Sequence, residues 1–170
     1  MKIFLIGYMG CGKSRWGKIV AGHYGFRFID MDTLIEEREK LSVPEIFAKY
    51  EESGFREKEH EALQSISDVE NIIVATGGGA PCFNNNMEEM NRLGTTLFIE
   101  CSPKLLRERI TDSDTERPLV KNFSQDDLLN YIVRHLQNRI PFYEQSHYKL
   151  VSGNLELDDF TAILDPIINP

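Results

Sequence analysis

Gly7-Tyr8-Met9-Gly10-Cys11-Gly12-Lys13-Ser14 fits G-x-x-x-x-G-K-[ST], the pattern of a phosphate-binding loop. What flanks it decides the fold. Lys2-Ile3-Phe4-Leu5-Ile6 is a short apolar run with the length of a buried strand. After the loop, Trp16, Ile19, Val20 and His23 recur at helical spacing, and Gly25 stands where glycine ends a helix. The loop therefore joins a strand to a helix N-terminus. There the first-turn N–H groups lack intrahelical partners and the helix dipole favours anions. Gly10, Cys11, Gly12, Lys13, Ser14 and Arg15 are the expected nucleotide-binding residues. Lys13 is expected to reach the β- and γ-phosphates, and the Ser14 hydroxyl to ligate Mg²⁺.

The chain has 170 residues, 41% of them hydrophobic, which suits one globular domain with a real core. A net charge of −8 argues against nucleic acid or an anionic membrane as the main partner. No run reaches membrane-spanning length, and no signal peptide is expected. Cys11, Cys82 and Cys101 are odd in number, with no C-x-x-C, which points to a reducing cytoplasm and away from disulfides or zinc. Cys11, beside Lys13 and a helix N-terminus, is a candidate reactive thiol; the plainer reading is a spacer.

Phe26 to Ile29 reads as a second strand ending in Asp30-Met31-Asp32, and Thr33 with Glu36 reads as a capping box opening a helix. Asp30 and Asp32 would then share a face of extended backbone, about 7 Å apart, with Asp32 free for a ligand. Ser42-Val43-Pro44-Glu45 opens a short helix through Ile46, Phe47 and Tyr50, broken at Ser53-Gly54. The next helix carries Phe55, Glu59, Ala62, Leu63 and Ile66 on one stripe. Arg56 lies near its start, the wrong end of the dipole for a cation, which hints at an anion. Ile72 to Ala75 is a third strand running into Gly77-Gly78-Gly79, a bend whose backbone can approach a ligand.

A helix from Asn84 to Leu93 with Met87 and Met90 inward leads to a strand at Thr95 to Ile99. Ser102-Pro103 caps the next helix, with Leu105, Leu106 and Ile110 inward. Residues 111–123 are polar and non-periodic, the composition of a lid, and contain Arg117. Ser124 opens a long helix with Leu128, Leu129, Ile132, Val133 and Leu136 inward, running toward Arg139 and Tyr143. Tyr148 to Val151 is a fifth strand, and Asp158 is expected to cap the last helix. Strands alternating with helices predict an α/β fold, three layers deep, with a parallel sheet between helices.

Motor ATPases and signalling GTPases show an apolar strand ending in a metal-binding Asp. Ile29-Asp30 and Ile99-Glu100 could each imitate it, but the third strand ends in glycines and no Asn-Lys-x-Asp guanine motif is present. The set looks like a small-molecule kinase. Taken in order, Gly7 to Ser14, Asp30-Met31-Asp32, Phe55-Arg56-x-x-Glu59, Gly77-Gly78-Gly79, Arg117-Pro118-Leu119 and Arg139-x-Pro141-x-Tyr143 resemble the shikimate kinases over nearly the whole chain.

That resemblance implies a five-stranded parallel sheet of order 2-3-1-4-5 and transfer of the ATP γ-phosphoryl to the 3-hydroxyl of shikimate. Asp32 would orient or deprotonate the attacking hydroxyl. Arg56 and Arg139 would grip the substrate carboxylate, with Gly77, Gly78 and Gly79 beside the ring. Lys13 and Arg117 would neutralise the phosphates, Asp30 would hold Mg²⁺ with Ser14, and Arg109 would lie near adenine. A monomer is expected. Two departures stand out: Arg15 where the family usually has Thr, and Ser146-His147 after Tyr143. Gluconate kinases share the loop, lid and acidic polyol substrate, but are not expected to pair Arg56 with the triple glycine. A nucleotide-binding regulator without transfer activity is the rival from another class.

Overall fold

Five apolar segments of four to six residues assemble into one parallel sheet. The computed structural model describes residues 1–112 and 124–169. In chain order the elements are β1 (Lys2–Ile6), α1 (Lys13–Tyr24), β2 (Arg27–Asp30), α2 (Met31–Glu39), α3 (Val43–Ser65) and β3 (Ile72–Ala75). A 3-10 turn at Ala80–Cys82 follows, then α4 (Asn86–Leu93), β4 (Thr95–Glu100), α5 (Pro103–Thr111), α6 (Gln125–Tyr143), β5 (Tyr148–Val151) and α7 (Leu157–Ile168).

The sheet order is β2-β3-β1-β4-β5, with every neighbouring pair parallel. β1 lies at the centre with all five residues buried, and β3 is buried throughout. Both read as unbroken apolar runs because helices cover both faces. The edge strands β2 and β5 are more open, and Val151 is 65% exposed. Register pairs Leu5 with Ala75 and with Leu97, so the ends of β1, β3 and β4 that lead into the loops lie side by side. Parallel sheets bind ligands at that carboxyl edge.

The helices refine the sequence reading. The inward stripe of α1 is Lys13, Gly17, Val20 and Ala21, whereas Ile19 and His23 face out and Trp16 is half-buried. Close approach of β2 explains the shift: a Cβ on Gly17 would lie 2.4 Å from the Phe28 ring. Gly25 caps α1 at φ 67°, as expected. The break in α3 falls at Glu51 (φ 58°, ψ −172°), earlier than Ser53-Gly54, which lie inside the second half. On α6 the buried line is Leu128, Ile132, Leu136, Arg139 and Tyr143; Leu129 is half-buried and Val133 turns outward.

α4 starts at Asn86, after Asn84 and Asn85 adopt left-handed conformations. Thr111 belongs to α5 and Asp112 caps it, so a lid can begin only after them; residues 113–123, Arg117 included, lie outside the described residues. The last helix is capped by Glu156, not Asp158, and the Asp159 carboxylate accepts from the Glu156 N–H at 2.8 Å. Trp16 packs on Phe160 of α7 with ring centroids 4.9 Å apart. No helix among the described residues is long and apolar enough to cross a membrane.

Candidate active site

The loop between β1 and α1 curls around its own lysine. Lys13 Nζ donates to the Gly7 carbonyl at 2.7 Å and the Tyr8 carbonyl at 2.9 Å, and lies 3.7 Å from Cys11 Sγ. Cys11 is fully buried, so its thiol serves as packing beneath the loop, which favours the spacer reading. Ser14 Oγ donates to Asp30 Oδ2 at 2.6 Å, which sets a hydroxyl and a carboxylate together at the start of α1. The Arg15 guanidinium sits over the Trp16 ring at 5.5 Å, on the outer side of α1. Arg109 Nη1 donates to the Cys11 carbonyl at 3.2 Å and Ser152 Oγ at 3.0 Å, and reaches the Gly10 carbonyl at 3.4 Å. It thus ties the loop's outer rim to the residue after β5.

Asp30 and Asp32 do not share a strand face. β2 passes into α2 with no intervening loop, so Asp30 is at once strand end and helix cap, its carboxylate accepting from the Asp32 N–H at 3.1 Å. Thr33 and Glu36 do not form the cap: Glu36 accepts instead from the Val43 N–H at 2.8 Å. Asp32 occupies the first turn of α2.

Three glycines then let charged groups close in. A Cβ on Gly77 would lie 2.6 Å from Glu59 Oε1 and 3.0 Å from Asp32 Oδ1. On Gly79 it would lie 2.3 Å from Arg56 Nη1. On Gly78 it would meet Arg139 Nη1 and the Met9 N–H, each at 3.3 Å. The bend therefore stands between the phosphate-binding loop on one side and Asp32, Arg56 and Arg139 on the other. It is held in place by Tyr143, whose hydroxyl donates to the Gly78 carbonyl at 2.5 Å, and by Asn86, which donates to the Ala80 carbonyl at 3.0 Å.

Arg56 and Arg139 are both largely buried. Arg56 Nη1 donates to Glu59 Oε2 at 2.6 Å and Nη2 to Glu52 Oε1 at 2.9 Å, and its guanidinium lies 4.3 Å from the Phe83 ring centroid. Its Nε and Glu59 Oε1 are buried with no hydrogen-bond partner. Arg139 lies over the Tyr8 ring at 5.5 Å, and Tyr8 Oη lies 3.0 Å from Nδ1 of His135, one turn earlier on α6.

Crowded acids shape the electrostatics. Enclosure by protein, then the neighbouring Asp30 and Glu36, push the Asp32 carboxyl up to about 6, against the pull of Lys13 and Arg56. The Asp32 side chain nevertheless opens to solvent. Burial pushes Glu59 up to about 7, with Asp32 adding to the rise and Arg56 and Arg139 opposing it. Burial and then the charges of Arg139 and Arg56 lower His135.

So the fold gathers Lys13, Ser14, Asp30, Asp32, Arg56, Gly77, Gly78, Gly79 and Arg139 at one sheet edge, with Arg109 on the nucleotide rim. Arg15 follows Ser14 on α1, with its guanidinium over the Trp16 ring. Sequence reasoning gave no role to Glu52, Glu59, Tyr143 or Asn86. Glu59 is signalled by its helical spacing to Arg56 and Tyr143 by its spacing of four from Arg139, whereas the break expected at Ser53-Gly54 hides the spacing of Glu52. Asn86 carried no local signal.

The family model for shikimate kinase matches residues 9–167. A shikimate kinase from Bacteroides fragilis is 44% identical over 156 residues, covering 92% of this chain and 87% of its own. A crystal structure of shikimate kinase from Bacteroides thetaiotaomicron superposes with a TM-score of 0.92 at 37% identity, covering 100% of this chain and 99% of that one. A solved structure of shikimate kinase from Acinetobacter baumannii in complex with shikimate gives a TM-score of 0.85 at 31% identity, covering 98% of this chain and 92% of that one.

Proposed function

The chain belongs to the shikimate kinase family, and we propose that it transfers the γ-phosphoryl group of ATP to the 3-hydroxyl of shikimate, giving shikimate 3-phosphate and ADP. The observation that carries this reading is the position of Gly78. Its backbone lies against the phosphate-binding loop and against Arg139 at once, so a phosphate donor and a carboxylate-bearing acceptor meet across it.

Phosphoryl transfer asks for positioning and charge neutralisation more than covalent chemistry. Lys13 exchanges the Gly7 and Tyr8 carbonyls for the β- and γ-phosphate oxygens. Arg56 and Arg139 clasp the carboxylate of shikimate through planar guanidinium forks, a geometry that lysine lacks. Asp32 accepts the proton of the attacking hydroxyl and aims its oxygen at phosphorus. Gly77, Gly78 and Gly79 keep side chains out of the space the ring occupies. Arg117, outside the described residues, supplies charge to neutralise the phosphates, and Arg109 flanks the adenine beside Ser152.

The pairing of Ser14 Oγ with Asp30 Oδ2 fits Mg²⁺, a hard cation that takes oxygen ligands. Among the described residues no cluster of three His, Cys, Asp or Glu could hold a metal. Ser14 would hold the ion directly and Asp30 through water, with the phosphates supplying further oxygens. Bound there, the ion neutralises phosphate charge. A reducing cytoplasm suits the free thiols of Cys11, Cys82 and Cys101, and the protein acts as a monomer in one domain.

The test is ADP release coupled to a detector, with shikimate and with gluconate as acceptors. Shikimate-dependent turnover is expected. Turnover with gluconate alone, or nucleotide binding with neither acceptor active, would overturn the proposal.

A further inference from the structure

Arg56 presents an unequal set of partners. Glu59, which holds Nη1, is 1% exposed and has no water to retreat to. Glu52, which holds Nη2, is 63% exposed. Between them, Nε is buried with no partner. Nε and Nη2 form one edge of a guanidinium, the edge that takes a carboxylate side-on with two parallel hydrogen bonds. Glu52 uses only half of that edge, through a single oxygen at 2.9 Å.

The side chains around this edge are already acidic. Glu52, Glu59 and Asp32 surround Arg56 and Arg139, so a further carboxylate enters against repulsion unless one acid withdraws. Glu59 is locked by burial and Asp32 stands against the glycine bend. Glu52 can swing fully into water, and an ion pair with one partner in solvent holds less firmly than one with both partners buried. The backbone beside it is strained. Glu51, at the break in α3, has φ 58° and ψ −172°, a conformation almost confined to glycine.

We propose that Glu52 is an internal stand-in for the substrate carboxylate: it occupies Nη2 of Arg56 and is displaced when shikimate engages the Nε–Nη2 edge. This rests on the reading of Arg56 as a carboxylate-binding residue. Glu52 thereby sets a threshold for entry. An acceptor bearing a carboxylate evicts it and fills the orphan Nε as well, whereas a neutral polyol cannot, and the acid stays on the arginine. The site thus discriminates between acidic and neutral acceptors by competition as well as by attraction.

The test is calorimetric titration of the full chain with shikimate and with its methyl ester, comparing the parent, Glu52→Gln and Glu52→Ala. Both variants should bind shikimate about two- to five-fold more tightly, the range of a weak ion pair, with ester affinity unchanged. Weaker or unchanged shikimate binding would make Glu52 a strut for Arg56 and overturn the proposal, as would an equal gain for the ester. An Arg56→Lys variant that binds shikimate as tightly as the parent would instead overturn the carboxylate role beneath it.

Discussion

The two halves of the cleft are made of different materials. The nucleotide side is mostly backbone: carbonyls of Gly7 and Tyr8 around Lys13, and carbonyls of Gly10 and Cys11 under Arg109. The substrate side is mostly side chains: Asp32 from α2, Arg56 and Glu59 from α3, and Arg139 and Tyr143 from α6, converging on a bend that has no side chains of its own. A backbone site needs a fixed local sequence to shape it. A side-chain site can draw on distant elements, provided the topology brings them together. Substitutions should therefore separate cleanly, turnover failing for losses at the reacting centre and acceptor affinity failing for losses on the substrate side.

Asp32→Asn should have the largest effect, lowering kcat by about 10²–10⁴-fold, the usual worth of a positioned base; stopped-time ADP assays at saturating substrates measure it. Lys13→Ala should follow, with kcat down by about 10²–10³-fold while calorimetric shikimate affinity stays within about two-fold. Equal damage to both would erase the contrast between the halves. Arg139→Lys keeps charge and loses the fork, so shikimate affinity should fall by about 10–100-fold with ADP affinity intact.

The pH profile sharpens the base assignment. Asp32 accepts a proton only when ionised, and its carboxyl is raised to about 6. Activity should therefore fall as pH drops through about 6, leaving about a tenth of kcat/KM at pH 5. A profile flat from pH 7 to pH 5 would remove Asp32 as base. Gly77→Ala should be mildest in turnover yet visible in folding. Its methyl would press on Glu59 and Asp32, lowering stability by about 1–3 kcal/mol in urea and weakening shikimate more than ADP.

The same division explains what could be read in the sequence. The phosphate-binding loop, all five strands and the Gly25 cap were legible because each is a local pattern. The stripe of α1 was not, because β2 presses Phe28 onto Gly17 and turns Ile19 outward. Thr33 looks like a cap when extended backbone is expected through Asp32; β2 in fact runs directly into α2 at Met31, and Asp30 takes the role. The sequence places the break in α3 at Ser53-Gly54 because glycine ordinarily supplies such a bend; in the fold Glu51 supplies it. Arg56 was legible as an arginine looking for an anion, but not the fact that Glu52 and Glu59 already answer it.

The register of β1 bears on how the chain is made. Lys2 pairs with Ile72 and Ile3 with Thr95, so the apolar centre of the sheet leaves the ribosome long before either neighbour exists. Through about seventy residues of synthesis this strand has nothing to zip against, and in a parallel sheet it cannot borrow a hairpin partner. The nascent protein carries its greasiest ribbon unsheltered through about the first two-fifths of its synthesis, which makes early engagement by a holding chaperone, rather than late rescue, the help this architecture calls for.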